Sequence, residues 1–193
     1  MADGHPLVAG TFLALAIGGV GYGTTRAVVG QREAAVARVA AAEAERKAML
    51  TDGVQRGQQG DFEGAVLVLT RLVREHPDDG DAAYNLGVAL GALGRHDDAE
   101  RVLSALLAKT PDDWGATAEL AAVYDTRGDG ERALQLLEKI PAGEGDLVAR
   151  FSDPQLWSAT RGHARFEALR AKHGLAATST ATPTAAQLPD ALP

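Results

Sequence analysis

Five histidines, two aspartate pairs and a glycine cluster are the residues of this chain whose types could do chemistry. A helical zinc site needs two histidines at i, i+4 with a supporting carboxylate. His5, His76, His96, His163 and His173 are scattered, and no two share that spacing. Asp78-Asp79 and Asp112-Asp113 carry enough charge to attract a cation. They recur in phase, however, each just before a helix start, where an aspartate side chain caps free backbone N–H groups. Gly53 and the Gly57 to Gly60 stretch lack the Gly-Lys-Ser/Thr step of a phosphate loop. A nucleophilic serine needs a strained strand-to-helix elbow, and the pattern is helical throughout. The expectation is therefore no enzyme, with no catalytic residue, no metal site and no cofactor.

What the sequence does contain is a period. Gly60, Gly94 and Gly128 stand 34 residues apart, as do Ala65, Ala99 and Ala133, and Leu69, Leu103 and Leu137. Pro77 and Pro111 keep the same step, each followed by its Asp-Asp pair. A fixed period of this length marks a solenoid of stacked supersecondary units. In the unit 80–113, an Ala/Leu/Val-rich run from Ala82 to Leu93 has helical spacing and stops at Gly94, suited to a helix end with positive φ. Asp97 and Asp98 then favour the N-terminus of a second helix through its dipole. That helix ends before Pro111, which cannot continue it. Small residues (Gly87, Ala99) fall where two helices approach closely, and Leu86, Leu90, Leu103 and Leu106 fill the gaps. The unit is a helical hairpin.

On these residues the chain resembles the tetratricopeptide-repeat family. Leu86-Gly87, Leu90, Gly94, Ala99, Leu103, Leu106 and Pro111 fit its pattern, with Leu90 in place of the usual aromatic. The first unit keeps Gly53, Gly60-Asp61-Phe62, Ala65, Leu69 and Pro77 but has Asp52 and Arg56 at two normally apolar places. The third keeps Leu120, Tyr124, Gly128, Ala133 and Leu137, and its second helix stops early at Pro141. The resemblance implies an all-α fold: a right-handed α-solenoid of about three hairpins (46–79, 80–113 and 114–145) within an array spanning 46–145. It also implies a concave groove lined by the first helix of each hairpin. The equivalent positions are Lys47, Leu50 and Val54, then Tyr84, Asn85 and Val88, then Ala118, Glu119 and Ala122. Some members clamp a C-terminal carboxylate of chaperones with Lys, Asn and Arg. Only Asn85 matches that clamp, and Leu50, Val54, Gly115 and Glu119 occupy its other places, so that ligand is not expected. A small, apolar groove suits an amphipathic helix or apolar peptide of another protein.

Around the array the chain changes character. From Pro6 to Gly23 no residue is charged, and about eighteen helical residues span roughly a bilayer core. Residues 6–25, after a short tail at 1–5, read as a retained transmembrane anchor. A cleaved signal would want a basic start, which Met1 to His5 lacks, and a buried core helix would be striped rather than apolar all round. Gly19 and Gly23 form a small-xxx-small step that supports a homodimer. Arg26, Arg32 and Arg38 follow the segment, and no Lys or Arg precedes it. By the positive-inside rule this gives a single-pass inner-membrane protein with its repeats on the cytoplasmic face. The periplasmic face is the alternative, by analogy with bacterial repeat proteins that carry one N-terminal anchor.

Residues 26–45 are an Ala/Glu/Arg tract of high helix propensity and read as a solvated helical stalk. After the array, 146–175 reads as a C-terminal cap that covers the last hairpin with Leu156, Trp157, Phe166 and Leu169. Its Asp153-Pro154 and Arg165-Phe166 runs resemble a closing segment that follows bacterial repeats of this family. Residues 176–193 have the composition of a disordered tail. The net charge of -7 argues against nucleic-acid binding, and the lack of Cys removes disulfides and thiolate metal sites. Together these features imply a membrane-tethered protein-interaction module, a scaffold or assembly factor. The alternative is a permanent structural subunit of a membrane complex, packed through its anchor.

Overall fold

The computed structural model describes residues 7–144 and 156–175, with side chains from Val28 onward. Its helices are α1 (Leu7–Gln58), α2 (Phe62–Glu75), α3 (Gly80–Ala92), α4 (His96–Lys109), α5 (Trp114–Thr126), α6 (Gly130–Lys139) and α7 (Ala164–Lys172). Among the described residues there is no strand. The chain divides into two units, Met1–Thr51 and Asp52–Pro193, with the division inside α1. The tails expected at 1–5 and 176–193 lie outside the described residues.

In the first unit α1 is unbroken through both boundaries drawn from the sequence, at 25/26 and 45/46. Every residue from Val28 to Glu45 is exposed, so this stretch draws on propensity rather than packing. Seven of its eighteen residues are alanine, and Glu43 adds ion pairs to Arg46 at 2.8 Å and Lys47 at 4.0 Å. Among the described residues no helix is long and apolar enough to cross a membrane. The anchor expected at 6–25 falls on residues whose side chains lie outside that set, so it gains no support there.

The second unit is built from repeated close approaches. A Cβ on Gly53 would come within 2.6 Å of Leu69 Cδ2, and one on Gly87 within 2.5 Å of Leu103 Cδ2. Ala121 and Leu137, in phase with both pairs, are fully buried, as are Ala65, Ala99 and Ala133 at the second small-residue position. Only a hydrogen or a methyl group fits where the two helices of a hairpin cross, and a leucine from the partner helix fills the dent. Each hairpin turns at a glycine with positive φ: 81° at Gly60, 71° at Gly94 and 82° at Gly128. The following N–H reaches back five residues (Arg95 to the Leu90 carbonyl, 2.9 Å), closing the helix end.

Capping fixes where the next helix starts. Asp61, Asp79, Asp113 and Asp129 each accept from the N–H three residues on. Capping was expected of the Asp78-Asp79 and Asp112-Asp113 pairs, and the second member of each performs it. Within the repeats helix α4 departs from this, because Arg95 stands where Asp61 and Asp129 stand and makes no side-chain cap. Asp97 and Asp98 in its first turn supply the negative charge instead.

Successive helices are neighbours from α2 to α6, and α3 also touches α5. Helices α3 and α5 thus form an inner layer, with α2, α4 and α6 packed against it. Across the second and third hairpins, Glu100 accepts from the Tyr124 hydroxyl at 2.7 Å and pairs with Arg127. Those bonds, the Tyr124 bond first, hold the Glu100 carboxyl below its ordinary range, while burial raises the Tyr124 phenol.

The third hairpin is covered by the C-terminal segment. Trp157, Phe166 and Leu169 join Ala118, Ala121, Ala122, Leu134, Leu137 and Ile140 in one core, with Leu156 packed against it. Trp157 and Phe166 are each 1% exposed, with ring centroids 5.8 Å apart. These are the four residues expected to close the array. Polar contacts fasten the segment at two places. Asp125, 2% exposed, accepts from the N–H groups of Ala159 (3.2 Å) and Thr160 (2.8 Å). Arg165 forks between Glu131 and Glu138 on α6.

Candidate protein-binding groove

The inner layer carries the positions expected to line a groove, and the structure treats them differently along the array. Lys47 and Leu50 belong to the first unit, where Lys47 is exposed and Leu50 half-buried. Val54, Asn85 and Val88 come together around a cavity of about 240 Å3 between α1, α2 and α3, whose apolar wall includes Phe62, Leu69 and Ala89. The Asn85 amide donates to the Asp81 carbonyl at 2.8 Å, which fixes its side chain at the rim.

Tyr84 lies outside that cavity. Its ring packs near Gly115, whose Cβ position is 3.5 Å from Tyr84 Cε2, so α3 and the start of α5 meet there. Glu119 is 9% exposed and sits against Gly91. Ala118 and Ala122 are buried in the core shared with Trp157 and Phe166. Of the nine expected positions, three therefore surround open space, and those in the third hairpin are covered.

The first junction is open because of two side chains. Gly57 and Gly91 are in phase on α1 and α3, and each faces the first helix of the next hairpin. At Gly91, Glu119 Oε1 and Val123 Cγ2 lie 3.8 and 3.9 Å from the Cβ position. The residues in phase with that pair are Asn85 and Ala89, both shorter, and nothing lies within 4 Å of the Gly57 Cβ position. The volume that Glu119 and Val123 fill at the second junction is vacant at the first. Reading positions one at a time did not find the cavity. The signal is the pairwise difference between Asn85/Ala89 and Glu119/Val123 across one period.

Charge follows the layers. Helices α3 and α5 contain no lysine or arginine, only Asp81, Glu119 and Asp125. On the second unit's share of α1 the one base is Arg56, paired with Asp52 and Asp61, each at 3.0 Å. Those two carboxylates, Asp52 first, raise the Arg56 guanidinium further. Among the described residues no group of three or more His, Asp or Glu could hold a metal ion.

The helical hairpins, their phased small residues and the layered stacking define a solenoid of protein-interaction repeats. The tetratricopeptide-repeat model matches residues 58–116 and 92–160, more than half of the chain, and the protein belongs to that family. No curated protein matches it. Among solved structures it is similar to MamA of AMB-1, at 28% identity over 49% of this chain and 56% of that one, with a TM-score of 0.47. MamA of RS-1, as a double mutant, aligns at 26% identity over 49% and 53%, with a TM-score of 0.46. MamA of MSR-1 aligns at 26% over 49% and 58%, with a TM-score of 0.44. The chain thus spans a little over half the length of these structures.

Proposed function

We propose that the protein is a membrane-tethered interaction module, a non-catalytic scaffold or assembly factor that holds a peptide or helix of another protein in its inner groove. The observation that carries this reading is the open cavity at the first junction, where Val54, Asn85 and Val88 surround about 240 Å3 of largely apolar space. An exposed apolar recess with a fixed amide at its rim is the form a side-chain anchor site takes. Tyr84, Ala118, Glu119 and Ala122, the other expected positions on α3 and α5, stand outside the cavity's lining. The tether is residues 6–25, uncharged from Pro6 to Gly23, with Gly19 and Gly23 available to a second copy. The three arginines that follow favour the cytoplasmic face for the repeats.

A photo-reactive residue at Val88 tests the groove, with the same residue at Leu67 on α2, 75% exposed, as the control. Cross-links to another protein from position 88 alone, lost in Val54→Asp, are expected. Equal cross-linking from both positions would remove the groove from the proposal. Reporter fusions at the C-terminus, one active only in the cytoplasm and one only in the periplasm, test the tether and its direction.

A further inference from the structure

The cavity at the first junction sits on a layer with an uneven charge. Asp81, exposed, lies one helical turn before Asn85, whose amide binds the Asp81 carbonyl. Asp52 and Asp61 hold the one nearby guanidinium, Arg56, between them, and α3 and α5 offer no other cation. The outer helices mix both signs: α2 carries Arg71 and Arg74 with Glu63 and Glu75, α4 Arg101 and Lys109 with Asp97, Asp98 and Glu100, and α6 Arg132 and Lys139 with Glu131 and Glu138. An occupant of the cavity mouth therefore meets the exposed Asp81 carboxylate and the net negative Asp52–Arg56–Asp61 cluster beside an apolar hole. We infer that the groove takes a cationic segment of another protein, which inserts one large apolar side chain among Val54, Phe62, Leu69 and Val88 and sets lysines or arginines against Asp81 and the neighbouring acids. This rests on the groove reading above and adds the chemistry of the partner. The same charges disfavour an acidic peptide, including any that ends in a bare carboxylate at this rim.

The cavity's depth sets the anchor. It is bounded by Gly53 and Gly57 on α1, so its floor is backbone and the leucine of α2 that fills the hairpin crossing. A side chain of leucine, methionine or phenylalanine size suits about 240 Å3, and a second such residue has no equivalent hole, since Glu119 and Val123 occupy the next one. Recognition is thus one anchor with flanking positive charge, rather than a continuous apolar stripe.

The test uses the full chain and two synthetic helical peptides of equal length, one of leucine and lysine and one of leucine and glutamate, titrated by calorimetry. The leucine–lysine peptide is expected to bind at one site and the leucine–glutamate peptide not to. Gly57→Leu fills the cavity from a helix position with open space around it, and should weaken binding at least about tenfold by excluding the anchor. Asp81→Lys should weaken it about two- to fivefold. Glu63→Lys makes the same charge change in the first turn of α2 and should leave binding unaltered. Equal losses in Asp81→Lys and Glu63→Lys would reduce the effect to net charge and overturn the inference. Binding of the leucine–glutamate peptide, abolished by Gly57→Leu, would overturn the cationic partner while keeping the groove. Absence of binding by either peptide would also count against the inference, and the Val88 cross-links would then judge the groove by itself.

Discussion

Two glycines four residues apart on α3 give opposite answers to one substitution. At Gly87 a methyl group would stand 2.5 Å from Leu103 Cδ2 and 2.6 Å from its Cγ, where carbon atoms prefer roughly 3.5–4.0 Å. Leu103 is fully buried and has nowhere to retreat, so Gly87→Ala overpacks the hairpin crossing, at about 1–3 kcal/mol. At Gly91 the nearest atoms are 3.8 Å away, an ordinary contact. Both changes recover the helix propensity that glycine forfeits, roughly 0.5–1 kcal/mol. That gain is common to the two variants, so their difference isolates the crossing: about 1–3 kcal/mol, with Gly91→Ala the more stable and above the parent. In a chain of 193 residues each kcal/mol moves the midpoint by about 2–4 °C. Thermal unfolding of the full chain by far-ultraviolet circular dichroism reads the separation. If Gly87→Ala raised the midpoint as much as Gly91→Ala, the close approach that defines the hairpin would be wrong.

Other consequences are as direct. Ala99→Leu places three carbons more at a fully buried site and should lower stability by about 1–3 kcal/mol, whereas Arg101→Ala, on the exposed face of α4, should change it little; equal midpoints would refute the placement. Asp125→Ala strands the Ala159 and Thr160 N–H groups at roughly 1–3 kcal/mol each, lessened by relief of a buried carboxylate, and hydrogen exchange at those two amides should accelerate before the rest of the array. Removing residues 146–193 exposes the core shared with Trp157 and Phe166 and should cause aggregation visible by light scattering, while removal of 176–193 alone should not; a soluble, equally stable longer truncation would refute the capping role. Burial holds the His173 imidazole below its usual value of about 6.5, so the unfolded chain takes up its proton first and stability falls as pH drops through that value. His173→Gln should flatten that limb of the denaturation profile. It should spare the further loss at lower pH, where Glu131 and Glu138, held below the ordinary carboxylate range by Arg165, become protonated.

How much of this was legible depends on whether a residue acts alone or in a pair. Gly60, Gly94 and Gly128 announced the hairpins because a positive φ is a property of one position. Asp79 and Asp113 announced helix starts for the same reason, and the aromatic cap residues had few other uses in so aromatic-poor a chain. The unbroken α1 was less visible: Gly30, Gly53 and Gly57 lie within it, and helical glycines with room or a close neighbour do not end a helix. The groove was the least legible part. Ala118 and Ala122 have the spacing of groove residues, but the C-terminal segment lies in the same core. Asp125 was missed, and the ion pairs of Arg165 with it, because their partners are 34 and 27 or more residues away and, for Asp125, are backbone groups.

One phased position, read along the chain, also states how long the array is. Gly57 faces vacant space, Gly91 faces the next helix, and Asp125 faces the turn at Ala159 and Thr160. A glycine there leaves room for a following repeat, whereas a carboxylate needs backbone donors that a regular helix, its N–H groups already bonded within, does not present. The residue works as a stop mark. A copy of residues 80–113 inserted before Trp114 would bring its own glycine and leave the stop mark in place, so the solenoid could lengthen by whole units from within. A unit appended after α6 would meet a buried, unanswered charge, and growth at that end would begin with Asp125→Gly.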